Sequence, residues 1–116
     1  MNVRAHVFVS GRVQGIFFRM ETRYEAMKQN IVGWVRNTSD GRVEAIFEGE
    51  REDVERLIDF CKSGPPGARV TKIDVQWKEY TGEFKAFKIW RTAIIRRSLI
   101  FKNLSPSFLG VILNYN

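Results

Sequence analysis

Apolar and polar positions along the chain fall into seven short segments. Ala5-His6-Val7-Phe8-Val9 is rich in β-branched and aromatic residues and predicts a first strand. Met20 to Asn30 holds good helix formers without Gly or Pro, with a modest stripe at Phe18, Thr22 and Ala26, flanked by Met27. Ile31 to Thr38 predicts a second strand and Arg42 to Gly49 a third, joined at Ser39-Asp40-Gly41, where Asp-Gly is a strong hairpin signal. Val54, Leu57, Ile58 and Cys61 recur at i, i+3, i+4, i+7 and predict a helix over about Arg51 to Lys62. Asp53 and Glu55 near its start suit the helix dipole, and Ser63-Gly64-Pro65-Pro66-Gly67 ends it. Val70 to Lys78 alternates at Ile73, Val75 and Trp77 as a fourth strand. A turn at Thr81-Gly82 leads to a last short strand, Ala86 to Trp90.

This order is the split βαβ arrangement, βαββαβ with an extra short C-terminal strand. It predicts an α+β, ferredoxin-like sandwich: an antiparallel sheet with two helices on one face and the other face partly open. Alternation places Val7, Val9, Val35 and Phe47 toward the helices. It places Phe8, Trp34 and Ile46 on the open face, as an apolar patch able to attract a partner.

Composition narrows the classes of function. A chain of 116 residues suffices for one domain with a single core. One cysteine permits no internal disulfide, so a reducing, cytoplasmic setting is expected. Arg4, His6 and Ser10 interrupt the apolar run near the start, so no signal peptide is expected, and no apolar segment approaches a membrane span. The net charge of +6 sits largely in the tail: residues 1–90 hold 15 basic and 13 acidic residues, 15 − 13 = +2, and Arg91, Arg96, Arg97 and Lys102 supply the other four. The first 90 residues lack the Lys/Arg cluster of a nucleic-acid face, and no nucleic-acid partner is expected.

The chemistry concentrates in Ser10-Gly11-Arg12-Val13-Gln14-Gly15-Ile16-Phe17-Phe18-Arg19. Two glycines four apart permit a tight turn and a close backbone approach. A turn feeding a helix N-terminus points unpaired N–H groups at one spot. Arg19 adds a planar fork of donors that matches phosphate oxygens. The stretch is neither a Walker loop nor Gly-x-Gly-x-x-Gly. Taken alone, these residues leave open an anion cradle or an ordinary strand-to-helix turn with a surface arginine. Elsewhere, His6 sits inside a strand and is read as structural, and Cys61 completes a core stripe. Glu48, Glu50, Glu52, Asp53 and Glu55 are read as a solvated acidic face, since no histidine stands at ligand spacing, and Trp34 and Trp77 as sheet packing.

Two long motifs make the reading specific. Gly11 to Arg19, followed by Gly33-Trp34-Val35-Arg36-Asn37-Thr38-Ser39-Asp40-Gly41-Arg42-Val43-Glu44, resembles the phosphate loop and second-strand hairpin of the acylphosphatase family. Phe87-Lys88-Ile89-Trp90 is similar to its last strand, and the resemblance covers about residues 4–91; Ile16 stands where valine is more frequent. The resemblance implies hydrolysis of a small acyl phosphate to carboxylate and inorganic phosphate, with phosphate or sulfate as a product-like ligand. It implies that Arg19 binds the phosphoryl group, that the backbone N–H groups of Gln14, Gly15, Ile16, Phe17, Phe18 and Arg19 wrap its oxygens, and that Asn37 holds the attacking water. It implies no metal and no other cofactor.

Two alternatives share the element order. An RNA-recognition module would need aromatic residues on the third strand, where Glu44 and Glu48 stand. A non-hydrolytic module, as at the N-terminus of hydrogenase-maturation carbamoyl-transfer proteins, would continue into cysteine-rich zinc modules. Residues 1–91 are therefore expected to form the acylphosphatase-like domain and 92–116 an extension outside the resemblance. From Ala93 on, that tail has no acids and includes the apolar run Phe108-Leu109-Gly110-Val111-Ile112-Leu113. Two readings of it stay open: a segment that packs on the open face or on a second copy, or a read-through or cloning remnant. A monomer is expected unless the tail mediates association.

Overall fold

The computed structural model describes residues 1–94. The apolar run 108–113 and its proposed docking therefore lie outside the described residues. Seven elements follow one another: β1 (Asn2–Arg12), α1 (Phe18–Lys28), β2 (Val32–Asn37), β3 (Val43–Glu50), α2 (Arg51–Ser63), β4 (Arg69–Lys78) and β5 (Phe87–Ile89). One sheet runs in the order β4-β1-β3-β2-β5, with both helices against the same face.

Period-two burial explains the strands. Val3, Ala5, Val7 and Val9 of β1, Val35 of β2 and Val43, Ala45 and Phe47 of β3 all point into one core. The α2 stripe of Val54, Leu57, Ile58 and Cys61 closes it. Burying such side chains contributes about 1.5–3 kcal/mol each. α1 contributes Phe18, Thr22 and Ala26, and the Thr22 hydroxyl enters the core satisfied, donating to the Phe18 carbonyl at 2.8 Å.

The sheet departs from the expected all-antiparallel form. β5 runs parallel to β2, pairing Gly33 with Phe87 and Val35 with Ile89. The chain leaves β4 at one edge and returns at the other, so the connection crosses the open face. Glu48 pins that crossing. It was read as part of a solvated acidic run, yet it is wholly buried. Its carboxylate accepts from Thr81 N and Oγ1, both at 2.9 Å, from Gly82 N at 3.0 Å and from Arg4 at 3.3 Å. Four donors satisfy a buried carboxylate that water no longer reaches.

The open face is also not the bare apolar patch expected. Trp34 and Ile46 are buried, and Phe8 is half-buried with the Arg42 guanidinium 4.3 Å from its ring centroid. Trp90 stacks on Trp34 at 4.4 Å, and Arg36 lies over both indoles. Arg36 donates in turn to Glu44 at 2.8 Å, and Glu44 meets the His6 ring nitrogen at 2.7 Å. The pairing also runs past residue 91: buried Ala93 bridges Thr38, its N–H donating to Asn37 O at 2.9 Å and its carbonyl accepting from Ser39 N at 2.8 Å.

Candidate active site

The loop between β1 and α1 forms because glycine sits where other residues would not fit. At Gly11, φ is +121° and a Cβ would lie 2.1 Å from the Arg69 carbonyl oxygen, so only glycine lets β1 shift register against β4 there. Gly15 follows at φ +75°. Phe17 then takes the left-handed conformation, at φ 63°, as the residue before α1, and no side chain caps the helix. The first bond of the helix runs from Glu21 N to Phe17 O at 3.0 Å, so the amides ahead of it have no acceptor within the helix. Such N–H groups, together with the positive end of a helix dipole, form a terminus of the kind that can bind an anion.

Val13 and Phe18 anchor the two ends of this loop in the core, and Ile16 packs against it. The Gln14 side chain reaches out of the loop and donates to the carbonyls of Thr38 and Arg42, each at 2.8 Å. Only the backbone of Gln14 was expected to matter; a long amide beside a loop glycine carries no local signal that its partners lie 24 and 28 residues on.

The β2–β3 hairpin is braced on its own side. Thr38 Oγ1 donates to Asp40, and Arg42 pairs with Asp40 at 2.8 Å. The Arg42 hydrogen bond and charge, with the Thr38 bond, hold the Asp40 carboxyl below its ordinary range despite partial burial. Asn37 ends β2 beside this brace.

Arg19 and Asn37 line one cavity of about 320 Å³, together with Val13, Gly15, Phe17, Phe18, Met20 and Ile89. Arg4, Arg36, Arg42, Arg51 and Arg56 each stand against a carboxylate. Among the described residues Arg19 has no such partner, so its donors are free for a ligand. Asn37 Oδ1 is buried, and among the buried side-chain nitrogen and oxygen atoms of the described residues it alone has no hydrogen-bond partner. A buried amide oxygen without a donor is costly, and a water or substrate hydrogen would satisfy it.

The remaining candidates fall outside this cavity. His6 belongs to the Glu44 cluster. Cys61 is buried in the core, where desolvation pushes its thiol up to about 12 in spite of a hydrogen bond with Thr22. Among the described residues no group of His, Cys, Asp and Glu is placed to hold a metal ion. No helix of the described residues is long and apolar enough to cross a membrane.

The acylphosphatase family profile matches residues 5–89. An acylphosphatase of Pelotomaculum thermopropionicum is 56% identical over 86 residues, covering 74% of this chain and 94% of its own. The crystal structure of acylphosphatase from Bacillus subtilis superposes with a TM-score of 0.73 at 36% identity, over 75% of this chain and 97% of that one. Full-length HypF, in its phosphate- and nucleotide-bound form, is similar at 32% identity and TM-score 0.74, over 81% of this chain but 12% of that one. The chain belongs to the acylphosphatase family, and it is an enzyme that hydrolyses acyl phosphates.

Proposed function

We propose that Arg19 and the amides of Gln14 to Arg19 hold the phosphoryl group of a small acyl phosphate while Asn37 orients the water that attacks phosphorus. The observation that carries this reading is the pairing, in one cavity, of an arginine and a buried amide oxygen that have no ion-pair or hydrogen-bond partner among the described residues. Phosphoryl transfer needs positioning and charge stabilisation more than covalent chemistry. The guanidinium and loop amides supply both, already oriented before substrate arrives. Asn37 cannot take a proton near neutral pH, but its Oδ1 can accept a hydrogen bond from water, leaving a lone pair for attack. The water proton passes to a phosphate oxygen of the substrate, and the carboxylate leaves without needing a protein acid. The single cysteine suits a cytoplasmic setting.

The test separates the two residues. Asn37→Ala is expected to lose turnover of acetyl phosphate yet still bind inorganic phosphate in calorimetric titration. Arg19→Ala is expected to lose both. Equal loss of phosphate binding in the two variants would overturn the division of roles.

A further inference from the structure

The strand that carries Asn37 is held on both edges, and one of the two holds lies outside residues 5–89, which match the family profile. On its inner edge Asn37 pairs with Val43 of β3. On its outer edge β5 stops at Ile89, and the chain beyond it makes the remaining bonds. Trp90 N donates to Val35 O at 2.9 Å, Ala93 N donates to Asn37 O at 2.9 Å, and Ser39 N donates to Ala93 O at 2.8 Å. From Trp90 to Ala93 the chain advances three residues (93 − 90) against two along β2 (37 − 35), so one residue is extra. An extra residue of this kind bends a strand and re-aims side chains, and such bulges gather next to active sites. Ala93 itself is wholly buried, so its two bonds form where water does not compete and the low dielectric strengthens them.

We propose that Ala93 is a positioning residue for the hydrolysis: its backbone clamps the carbonyl of Asn37 and the N–H of Ser39, and so fixes the direction in which the Asn37 amide presents the attacking water. This rests on the reading of Asn37 given above. Asn37 is the last residue of β2, and element ends open at low cost unless their backbone groups are tied. Without Ala93 the Asn37 carbonyl loses its bond on the outer edge, and the backbone at Asn37 is free to rotate. Any such rotation swings Oδ1, which has no partner of its own to hold it. The amide is therefore aimed by its backbone. The Gln14 side chain grips the next carbonyl, that of Thr38, and leaves the Asn37 carbonyl untouched. Phosphate binding draws instead on Arg19 and the loop between β1 and α1. The clamp thus acts on the water and not on the phosphate.

The experiment measures kcat and KM for acetyl phosphate, and calorimetric binding of inorganic phosphate, on full-length variants. Ala93→Pro removes the N–H that Asn37 O accepts. It is expected to lower kcat roughly 10- to 10²-fold, the scale of a misplacement of about 1 Å, with KM and phosphate affinity unchanged. Ser39→Pro removes the other bond. Gly41 N donates to Thr38 O at 3.1 Å, closing a turn in which Ser39, whose φ is negative, stands second, a place that favours proline. This variant is expected to lower kcat by less, because the Asn37 bond survives, and it decides the matter if Ala93→Pro fails to fold. Ala93→Gly keeps both bonds and is expected to keep kcat. A merely structural role would lower kcat only in step with the number of phosphate-binding sites per chain. That result, or kcat unmoved in a folded proline variant, would overturn the proposal while leaving the roles of Arg19 and Asn37 intact. Native turnover in Asn37→Ala would instead remove the underlying site reading.

Discussion

The side-chain amide of Gln14 donates to the carbonyl oxygen of Thr38, clipping the loop ahead of α1 to the hairpin that carries Asn37. A second bond from the same nitrogen reaches the Arg42 carbonyl. Both carbonyls have another donor, since Gly41 N bonds Thr38 O and Thr38 N bonds Arg42 O. Gln14→Leu therefore orphans neither, and its cost in stability is expected to be only about 1–3 kcal/mol for two bonds. Turnover should suffer more, because a displacement of about 1 Å between catalytic groups commonly costs ~10²-fold in rate. Urea denaturation and steady-state kinetics on this variant measure the two effects. A loss of turnover below twofold would show that the clip does not position the site.

Arg19→Lys keeps the positive charge and removes the fork. An ammonium cannot make the bidentate pair with a phosphoryl group. Loss of a preorganised donor costs roughly 10²–10³-fold in kcat. Because Arg19 has no ion-pair partner among the described residues, the thermal midpoint should not move. Near-native turnover in the Lys variant would contradict the assigned role.

The acid side of stability should report on Glu44. Burial pushes its carboxyl up, but hydrogen bonds from His6 and Arg36, with their charges, pull it further down, and the net lies below the ordinary value of 4.5. The folded chain therefore holds this proton more weakly than the unfolded chain. The resulting stability is fully present above the ordinary value and is lost as pH falls through the lower folded value. Glu44→Gln should flatten that acid limb in unfolding free energies measured between about pH 3 and pH 7. It should also lower stability near neutrality by roughly 3 kcal/mol, the low end for breaking a buried pair, since Arg36 keeps the Trp34 and Trp90 rings. An acid limb unchanged in the variant would place the titrating group elsewhere.

Much of this was legible in residue order because it depends on local periodicity. Val7 and Val9 against Phe8, and the i, i+3, i+4, i+7 stripe ending at Cys61, report burial directly. The motif from Gly11 to Arg19 named the loop, and Asn37 the strand facing it. The illegible parts are pairings between distant residues. Glu48 read as a solvent-facing acid, because nothing near it in sequence shows that the Thr81-Gly82 amides converge on it, and nothing near Glu44 shows that Arg36 and His6 meet there. The parallel alignment of β5 with β2 was hidden for the same reason, since a three-residue strand carries no mark of its neighbour. α1 was expected from Met20 but begins at Phe18, since the left-handed Phe17 needs no glycine or polar cap to announce it.

Cys61 should be inert toward alkylation in the folded enzyme. The thiolate is the reactive form, and burial pushes this thiol up to about 12. Iodoacetamide at neutral pH is expected to leave turnover intact and to modify the residue only once denaturant is added, as read by mass. Rapid inactivation of the native enzyme would require that its core opens easily.

The ends of the sheet bear on how the enzyme behaves when concentrated. An exposed strand edge is a template on which a second chain can add a strand, and fibre growth begins that way. β4 is ten residues long and has no outer neighbour among the described elements. It carries Arg69, Lys72 and Lys78 against one acid, Asp74, so two copies meeting edge to edge would bring two net positive strands together. β5, at the opposite edge, spans three residues and offers too short a ladder to seed growth. The fold thus guards one flank by repulsion and the other by brevity.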